Sequence, residues 1–185
     1  NKRYSFGLIR ELLIRDCYLK FMPKNIFFNS KTILDLGCNR GLFSIMMSKT
    51  SDFIISVDGD SCYEEIIKYN FKSNLFDNFA FEECLVGGVL DNYLFRNSNY
   101  LRTYNIPHFF KKYNLKSLDL LKIDIEGSEF DLFKGNCDWL QKTKAIVMEV
   151  HTNEGDPNII LKKLSDYNFS LKVADKDMNL IKGAK

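Results

Sequence analysis

Short apolar runs alternate with helical patterns along most of the chain. The runs at residues 33–36, 53–57, 79–86, 118–125 and 145–150 have the length and composition of buried strands. Apolar residues at helical spacing follow two of them, directly after Gly41 and again from Tyr63 to Leu75. Strands that alternate with helices predict an α/β fold, with a mostly parallel sheet and helices on both of its faces.

The two ends of the chain extend this prediction. Residues 169–174 and 178–181 predict a hairpin, which would add two antiparallel strands and give a seven-stranded, Rossmann-like sheet. Helical spacing from Tyr4 to Met22 predicts an N-terminal helix, and residues 24–31 read as a loop. We therefore expect an N-terminal helix and loop at 1–30 and the sheet at 31–185, in a single domain overall. The chain begins within a helical pattern, and the sequence leaves open whether it is a fragment of a longer protein.

Composition narrows the class of protein without naming a partner. The 185 residues can bury a sizeable core, and a net charge of +2 shows no footprint of nucleic-acid or membrane binding. The five cysteines are odd in number and lack C-x-x-C spacing, which favours reduced thiols in a cytoplasmic protein. We see neither a signal peptide nor the run of about 18 apolar residues that a membrane span needs. We expect a cytoplasmic protein with no membrane partner, and the sequence leaves its oligomeric state open.

A glycine turn follows the first predicted strand. In Asp35-Leu36-Gly37-Cys38-Asn39-Arg40-Gly41, an acidic residue precedes two glycines that are separated by three residues. Glycines allow a tight turn and the close approach of a ligand, and open α/β sheets bind ligands at the carboxyl ends of their strands. The spacing differs from G-x-G-x-x-G and from the P-loop motif, which argues against a dinucleotide or a nucleoside triphosphate. It resembles the first motif of class I S-adenosylmethionine-dependent methyltransferases, although a purely structural turn could carry the same residues.

An acidic residue ends the second predicted strand. Asp58 follows the glycine turn by about 20 residues, the separation at which a carboxylate meets ribose hydroxyls in this kind of fold. Gly59 comes next, and Leu85 near the end of the third strand is a candidate for adenine contact. The alternative is that Asp58-Gly59-Asp60 is only a turn. We predict cofactor contacts from Asp35, Gly37, Cys38, Asn39, Gly41, Asp58, Gly59 and Leu85.

A second motif makes the resemblance specific. The segment Lys122-Ile123-Asp124-Ile125-Glu126-Gly127-Ser128-Glu129 is similar to the signature of the FkbM family of methyltransferases. The family pattern also covers residues 35–39 and the strand end at 149–151. It departs at Asp58, where the family usually shows glutamate followed by proline, and at Cys38, where alanine is frequent. The resemblance implies methyl transfer from S-adenosylmethionine to a hydroxyl of a sugar or small molecule.

Acidic residues and a histidine stand at the ends of the fourth and fifth predicted strands. Asp124 could take the proton of an acceptor hydroxyl, helped by His151, whose side chain titrates near neutral pH. Glu126 is the third catalytic candidate, and for Glu129 we favour a structural role at the start of the next helix. Together with Glu149, the residues Asp124, Glu126 and His151 could hold Mg²⁺. Their spacing alone does not establish a metal site, and we predict none.

Three other interpretations remain open. A methyltransferase that acts on RNA would keep the fold, but the low net charge argues against a nucleic-acid acceptor. A degenerate domain could serve as an interaction module, which the presence of both Asp58 and Asp124 disfavours. A dehydrogenase is disfavoured by the glycine spacing. The acceptor itself would be selected by segments 1–31 and 89–105, which carry no readable motif.

Overall fold

One seven-stranded sheet organises the part of the chain that the computed structural model describes, residues 18, 20, 24–87, 101–175 and 180–185. The strands are β1 (Thr32–Leu36), β2 (Phe53–Asp58), β3 (Phe79–Glu83), β4 (Leu85–Val86), β5 (Thr103–Tyr104), β6 (Leu118–Ile123), β7 (Thr143–Glu149), β8 (Ser170–Asp175) and β9 (Leu180–Ala184). The helices are α1 (Lys24–Asn29), α2 (Leu42–Ser48), α3 (Cys62–Ser73), α4 (Ile106–Lys112), α5 (Glu129–Leu132) and α6 (Pro157–Asp166), with a 3₁₀ helix at Asp138–Lys142.

The order of the strands confirms the predicted Rossmann-like sheet. Across the sheet they run β3-β2-β1-β6-β7-β9-β8, while β4 and β5 pair with each other outside it. Strands β3, β2, β1, β6 and β7 are parallel, and β9 is antiparallel to both β7 and β8. The chain order reverses between β1 and β6, and this switch point is where an open α/β sheet forms a ligand crevice.

Both faces of the central strands are buried, as a parallel sheet requires. In β1, Leu34 packs in the larger hydrophobic cluster and Ile33 in a second cluster on the other face. All six residues of β6 are buried, including Asp119 and Lys122. A charged side chain within such a strand needs partners inside the protein.

Several local predictions are confirmed. The helix expected after Gly41 is α2, and the fifth predicted strand is β7. The structure also shows how α6 begins: Asp156 precedes Pro157, and its Oδ1 accepts a hydrogen bond from the Asn158 N–H at 2.9 Å. Among the described helices, none has the length and apolar composition needed to cross a membrane.

Three local predictions are wrong. Residues 24–29 form α1 instead of a loop. The predicted strand at 79–86 divides into β3 and β4, because the Leu85 N–H turns away from the main sheet and donates to the Arg102 carbonyl at 2.9 Å. The predicted fourth strand ends at Ile123 instead of residue 125. The predicted N-terminal helix at 4–22 lies outside the described residues except for Tyr18 and Lys20, and so do residues 178–179 of the second predicted hairpin strand.

Candidate active site

A cavity of about 630 Å³ opens at the carboxyl ends of β1, β2 and β6, at the switch point of the sheet. Its walls come from the glycine turn after β1, the end of β2, the β4–β5 pair and the segment after β6. Of the predicted site residues, the cavity brings together Gly37, Cys38, Asn39, Asp58, Gly59, Leu85, Asp124 and Glu126. Asp35, Gly41 and His151 are not among the described residues that line it.

Gly37 is required by a close approach of two backbone segments. Its φ is +72°, in the left-handed region, and a Cβ at this position would lie 1.6 Å from the carbonyl oxygen of Asp124. No side chain fits there without moving the segment after β6. The N–H groups of Gly37 and Cys38 both donate to the Val57 carbonyl, at 2.9 and 3.0 Å. The turn is therefore held between β2 and Asp124.

The second glycine of the motif serves helix packing. Gly41 has a φ of +73°, and a Cβ there would lie 2.9 Å from the side chain of Ile67 on α3. Cys38, between the glycines, lines the cavity but is buried. Burial raises the pKa of the Cys38 thiol well above its usual value, so the group stays protonated and is a poor nucleophile.

Asp58 faces the cavity from the end of β2 and also supports the glycine turn. Its Oδ2 accepts from the Asn39 N–H at 2.8 Å, and its Oδ1 accepts from the Asp60 N–H at 3.0 Å. Burial raises the pKa of the Asp58 carboxyl, and the two backbone hydrogen bonds partly offset this. Each carboxylate oxygen can accept more than one hydrogen bond. The same group can therefore shape the turn and accept from a ligand hydroxyl.

Asp35 lies beneath the turn in a polar group on one face of the sheet. In the register of the strands it pairs with Ser56 on β2 and with Lys122 on β6. Its Oδ2 accepts from the Ser44 hydroxyl at 2.6 Å, and its Oδ1 lies 3.2 Å from Lys122 Nζ. No described residue gives Oδ1 a well-aligned hydrogen bond, so this contact is an ion pair. The fully buried Asp35 holds the base of the turn from below.

Asp124 is the carboxylate at the end of β6. Its side chain is 24% exposed and faces the cavity. Oδ2 accepts from the Tyr18 hydroxyl at 2.9 Å and lies 3.6 Å from Lys122 Nζ. Burial raises the pKa of Tyr18 far above its usual value, and the charge of Asp124 adds to the shift. Tyr18 is therefore a neutral hydrogen-bond donor at any ordinary pH.

His151 follows β7 and is bound to a buried carboxylate. Its Nδ1 lies 2.9 Å from Oε1 of Glu129, which also accepts from the His151 backbone N–H at 2.6 Å. The hydrogen bond with Glu129 raises the pKa of His151 to about 9, and the charges of Glu129, Glu126 and Glu149 add to the shift against partial burial. The sequence analysis assumed the pKa of an unperturbed histidine, about 6.5. In the folded protein His151 is instead protonated at neutral pH.

Glu126 is the exposed member of the group. Its φ of +52° is uncommon for a residue other than glycine, and its side chain is 78% exposed. Ligand atoms of Asp124, Glu126 and His151 all lie within 4.8 Å of one another, close enough for a divalent ion to be shared. The proton that His151 carries opposes this, because a metal ligand must be the neutral imidazole.

Two residues of the site were not assigned by the sequence analysis. Tyr18 reads there as one apolar position of a helical face, and its hydroxyl gives no local sign of a partner. Lys122 carries a visible signal, because it is a lone cation inside the apolar run Leu118–Ile123. Its partners, however, come from β1 and from the glycine turn, more than 80 residues earlier in the chain.

The comparison with known families agrees with the geometry of the site. The pattern of the family described as "Methyltransferase FkbM domain" matches residues 23–171, which is most of the chain. No curated protein sequence matches the chain significantly.

Solved structures share the fold. The methyltransferase FkbM from Methylobacillus flagellatus KT is similar with a TM-score of 0.60 at 14% identity, over 84% of this chain and 44% of that one. An rRNA methylase from Streptococcus thermophilus aligns with a TM-score of 0.53 at 8% identity, over 87% and 90% of the two chains. A Streptococcus mutans structure described as a methyltransferase in complex with SAH aligns with a TM-score of 0.54 at 7% identity, over 86% and 91%.

At these identities the structural likeness shows the fold alone, and the chain spans less than half the length of the FkbM structure. The family match extends over far more than half of this chain, and it includes both the glycine turn and the segment after β6. The chain belongs to the FkbM family and is an S-adenosylmethionine-dependent methyltransferase.

Proposed function

We propose that the protein transfers the methyl group of S-adenosylmethionine to a hydroxyl of a sugar or another small molecule, with Asp124 as the base. One observation carries this proposal. The partly exposed carboxylate of Asp124 stands in the cavity directly beside the glycine turn, whose Gly37 has no room for a Cβ against the Asp124 carbonyl. A cofactor held by the turn would therefore have a carboxylate next to it.

The proposed cofactor site lies between the glycine turn and the end of β2. Gly37, Cys38 and Asn39 would approach the methionine part, Asp58 with Gly59 the ribose, and Leu85 the adenine. The accessible carboxylate of Asp58 supports the ribose assignment, since a charged acceptor binds hydroxyls more strongly than a neutral one. Asp35 and Gly41 would act indirectly, by holding the turn and the start of α2.

The chemistry needs little beyond alignment and a proton acceptor. The hydroxyl oxygen of the acceptor forms a bond to the methyl carbon, and the bond from that carbon to sulfur breaks with its electron pair going to sulfur. The hydroxyl proton passes to Asp124. Alignment of the two reactants supplies much of the acceleration, and the base adds typically 10²–10⁴-fold.

The charge of the cavity supports a neutral acceptor over a polyanion. Among the lining residues that the structure describes, acidic ones outnumber basic ones, with Asp58, Asp60, Glu83, Asp124 and Glu126 against Arg40, Arg102 and Lys122. Such a lining suits the positive sulfonium of the cofactor and disfavours a phosphate backbone. A strong, salt-dependent affinity for RNA would contradict this part of the proposal.

His151 and the two glutamates around it would tune the site. A protonated His151 cannot accept a proton from the acceptor at neutral pH, so its proposed role is electrostatic, next to Glu126 and Glu129. We propose no metal in the reaction. Activity should then survive a chelator, and loss of activity that is restored by Mg²⁺ would contradict this.

The cofactor half of the proposal is tested by calorimetry. S-adenosylhomocysteine should bind, whereas NAD and ATP should not. Asp58→Ala should weaken that binding roughly tenfold or more, since a hydrogen bond to a charged group is worth about 1.5–3 kcal/mol. Asp156→Ala is the matched control, because it also removes a carboxylate that accepts a backbone N–H but lies at the start of α6. Unchanged affinity in Asp58→Ala would remove this residue from the site.

The chemical half is tested with Asp124→Asn. A panel of sugars and small hydroxyl compounds is first screened with cofactor that carries a tritiated methyl group. With an accepted compound, the variant should bind S-adenosylhomocysteine normally but lose roughly 10²–10⁴-fold in kcat. Asp131→Asn, on α5, is the control carboxylate. Full turnover by Asp124→Asn would make the carboxylate structural.

A further inference from the structure

Lys122 lies at the centre of the sheet with almost no access to solvent. It is part of β6, between β1 and β7, and its side chain is 4% exposed. An apolar residue would suit such a position better, because burying an ion pair often gives no net gain in stability over well-packed apolar side chains. The cation therefore calls for an explanation other than packing.

The ammonium of Lys122 makes two contacts at the start of the glycine turn, which would hold the cofactor. Nζ donates to the Gly37 carbonyl at 2.6 Å and lies 3.3 Å from the Leu36 carbonyl, to which it also donates. These two carbonyls belong to the residues where β1 passes into the turn. The same group lies 3.2 Å from Asp35 Oδ1, below the turn.

The fourth contact of this ammonium leads to the acceptor side. Nζ lies 3.6 Å from Asp124 Oδ2, the oxygen that also accepts from the Tyr18 hydroxyl. The backbone makes a parallel link, since the Asp124 N–H donates to the Leu36 carbonyl at 3.1 Å. One buried cation thus touches both the turn that would hold the cofactor and the carboxylate that would take the proton.

We propose that Lys122 is a positioning residue, which couples the geometry of the cofactor turn to the orientation and charge of Asp124. The inference rests on the proposed function, because it assigns a purpose to the contact between the two halves of that site. Burial alone would lower the pKa of Lys122, but the charges of Asp35 and then Asp124 outweigh it and keep the pKa above its usual value. The cation is therefore permanent over the working pH range.

Two variants test this role without any acceptor. Lys122→Met removes the charge, and Lys122→Met with Asp35→Asn also removes the carboxylate that would be left buried without its cation. In either variant S-adenosylhomocysteine should bind roughly tenfold more weakly or worse, because a charge-assisted hydrogen bond to the turn is lost. In Lys122→Met the titration midpoint of the Asp124 carboxyl, followed by ¹³C NMR, should also move up, since a neighbouring cation favours the ionised form.

Lys144→Met is the matched control. Lys144 lies on the adjacent strand β7 and pairs with Asp119 of β6, outside the cavity. Both readouts should stay at their wild-type values in this variant. A drop in thermal stability alone, with the S-adenosylhomocysteine affinity and the Asp124 titration unchanged, would show that Lys122 is only structural and would overturn the proposal. So would a change in one readout without the other, because the coupling requires both.

A measurement on the unmodified protein guards against variants that fail to fold. Titration with S-adenosylhomocysteine should shift the NMR signals of both the Lys122 ammonium and the Asp124 carboxyl. If the compound binds and neither signal moves, the coupling is absent. If the compound does not bind at all, the proposed cofactor site fails first, and the Asp124 titration in the variants still decides whether Lys122 controls that carboxylate.

Discussion

The protonation state and the role of single residues in this site depend on their hydrogen-bond partners more than on residue type. Histidine and carboxylate side chains at strand ends suggest acid–base chemistry, and the sequence analysis assigned His151 to help a base. Glu129 changes that picture, because it is fully buried and hydrogen bonds to His151 through both the ring and the backbone N–H. A residue whose pKa is raised to about 9 is charged at the pH where the unperturbed side chain would be neutral.

This pairing predicts a pH dependence of stability. The pKa of His151 is higher in the folded chain, about 9, than the roughly 6.5 of an unfolded chain. Its contribution to the free energy of unfolding is therefore complete below about pH 6.5 and is lost as the pH rises through 9. At about 1.36 kcal/mol per pH unit, the contribution is at most about 3 kcal/mol.

Urea unfolding of wild type and His151→Gln between pH 6 and pH 10 measures the effect. The difference in the free energy of unfolding should be largest at pH 6 and should shrink above pH 7. His108→Gln controls for the loss of an imidazole, because it removes the chain's other histidine, which stacks on Tyr104. A difference that stays constant across this range would mean that the pair with Glu129 does not shift the titration.

At the scale of elements, the site depends on the contact between the turn after β1 and the segment after β6. The sequence analysis attributed Gly37 to the space that a ligand needs. The structure attributes it to the carbonyl of Asp124, which a Cβ would meet at 1.6 Å. A substitution at Gly37 therefore disturbs the protein before any ligand arrives.

Gly37→Ala should both destabilise the fold and abolish binding of S-adenosylhomocysteine. Gly135→Ala is the matched control, because Gly135 also has a positive φ, +96°, but nothing lies within 4 Å of its Cβ position. The control should lose roughly 1–2 kcal/mol for the backbone conformation alone, and Gly37→Ala should lose more. The free energy of unfolding in urea and calorimetry provide the two measurements. Equal losses of unfolding free energy in the two variants would show that the segment around Asp124 moves away from the new Cβ without destabilising the fold.

At the scale of the whole molecule, charge is distributed unevenly. The net charge of +2 describes the whole sequence, yet the described residues that line the cavity include more acidic than basic side chains. The net charge of the whole chain is therefore only weak evidence against an RNA acceptor. The acidic lining is stronger evidence, because it lies where an acceptor would bind. The strand order explains why these groups meet, because the ends of β1, β2 and β6 lie side by side at the switch point.

Much of the fold could be predicted from the sequence because its signals are local. Periodicity located β1, β2, β6, β7 and the helices α2 and α3, and alternation of the two types implied a parallel sheet. The family motifs, at the glycine turn and at Lys122–Glu129, are also contiguous and readable. The prediction failed where neighbours decide the outcome, as at residues 79–86, where pairing with β5 draws β4 out of the main sheet.

The sequence alone determined the fold class, the family and eight of the residues that line the cavity, because these depend on spacing and on short motifs. Only the tertiary structure decided how the polar groups share their contacts. It buried Asp35 against Ser44 and Lys122, bound His151 to Glu129, and brought Tyr18 to Asp124 across 106 positions. The physical reason is that a buried charge must find its partners in space. Those partners lie on strands and turns that are far apart in the chain and meet only when the sheet is assembled.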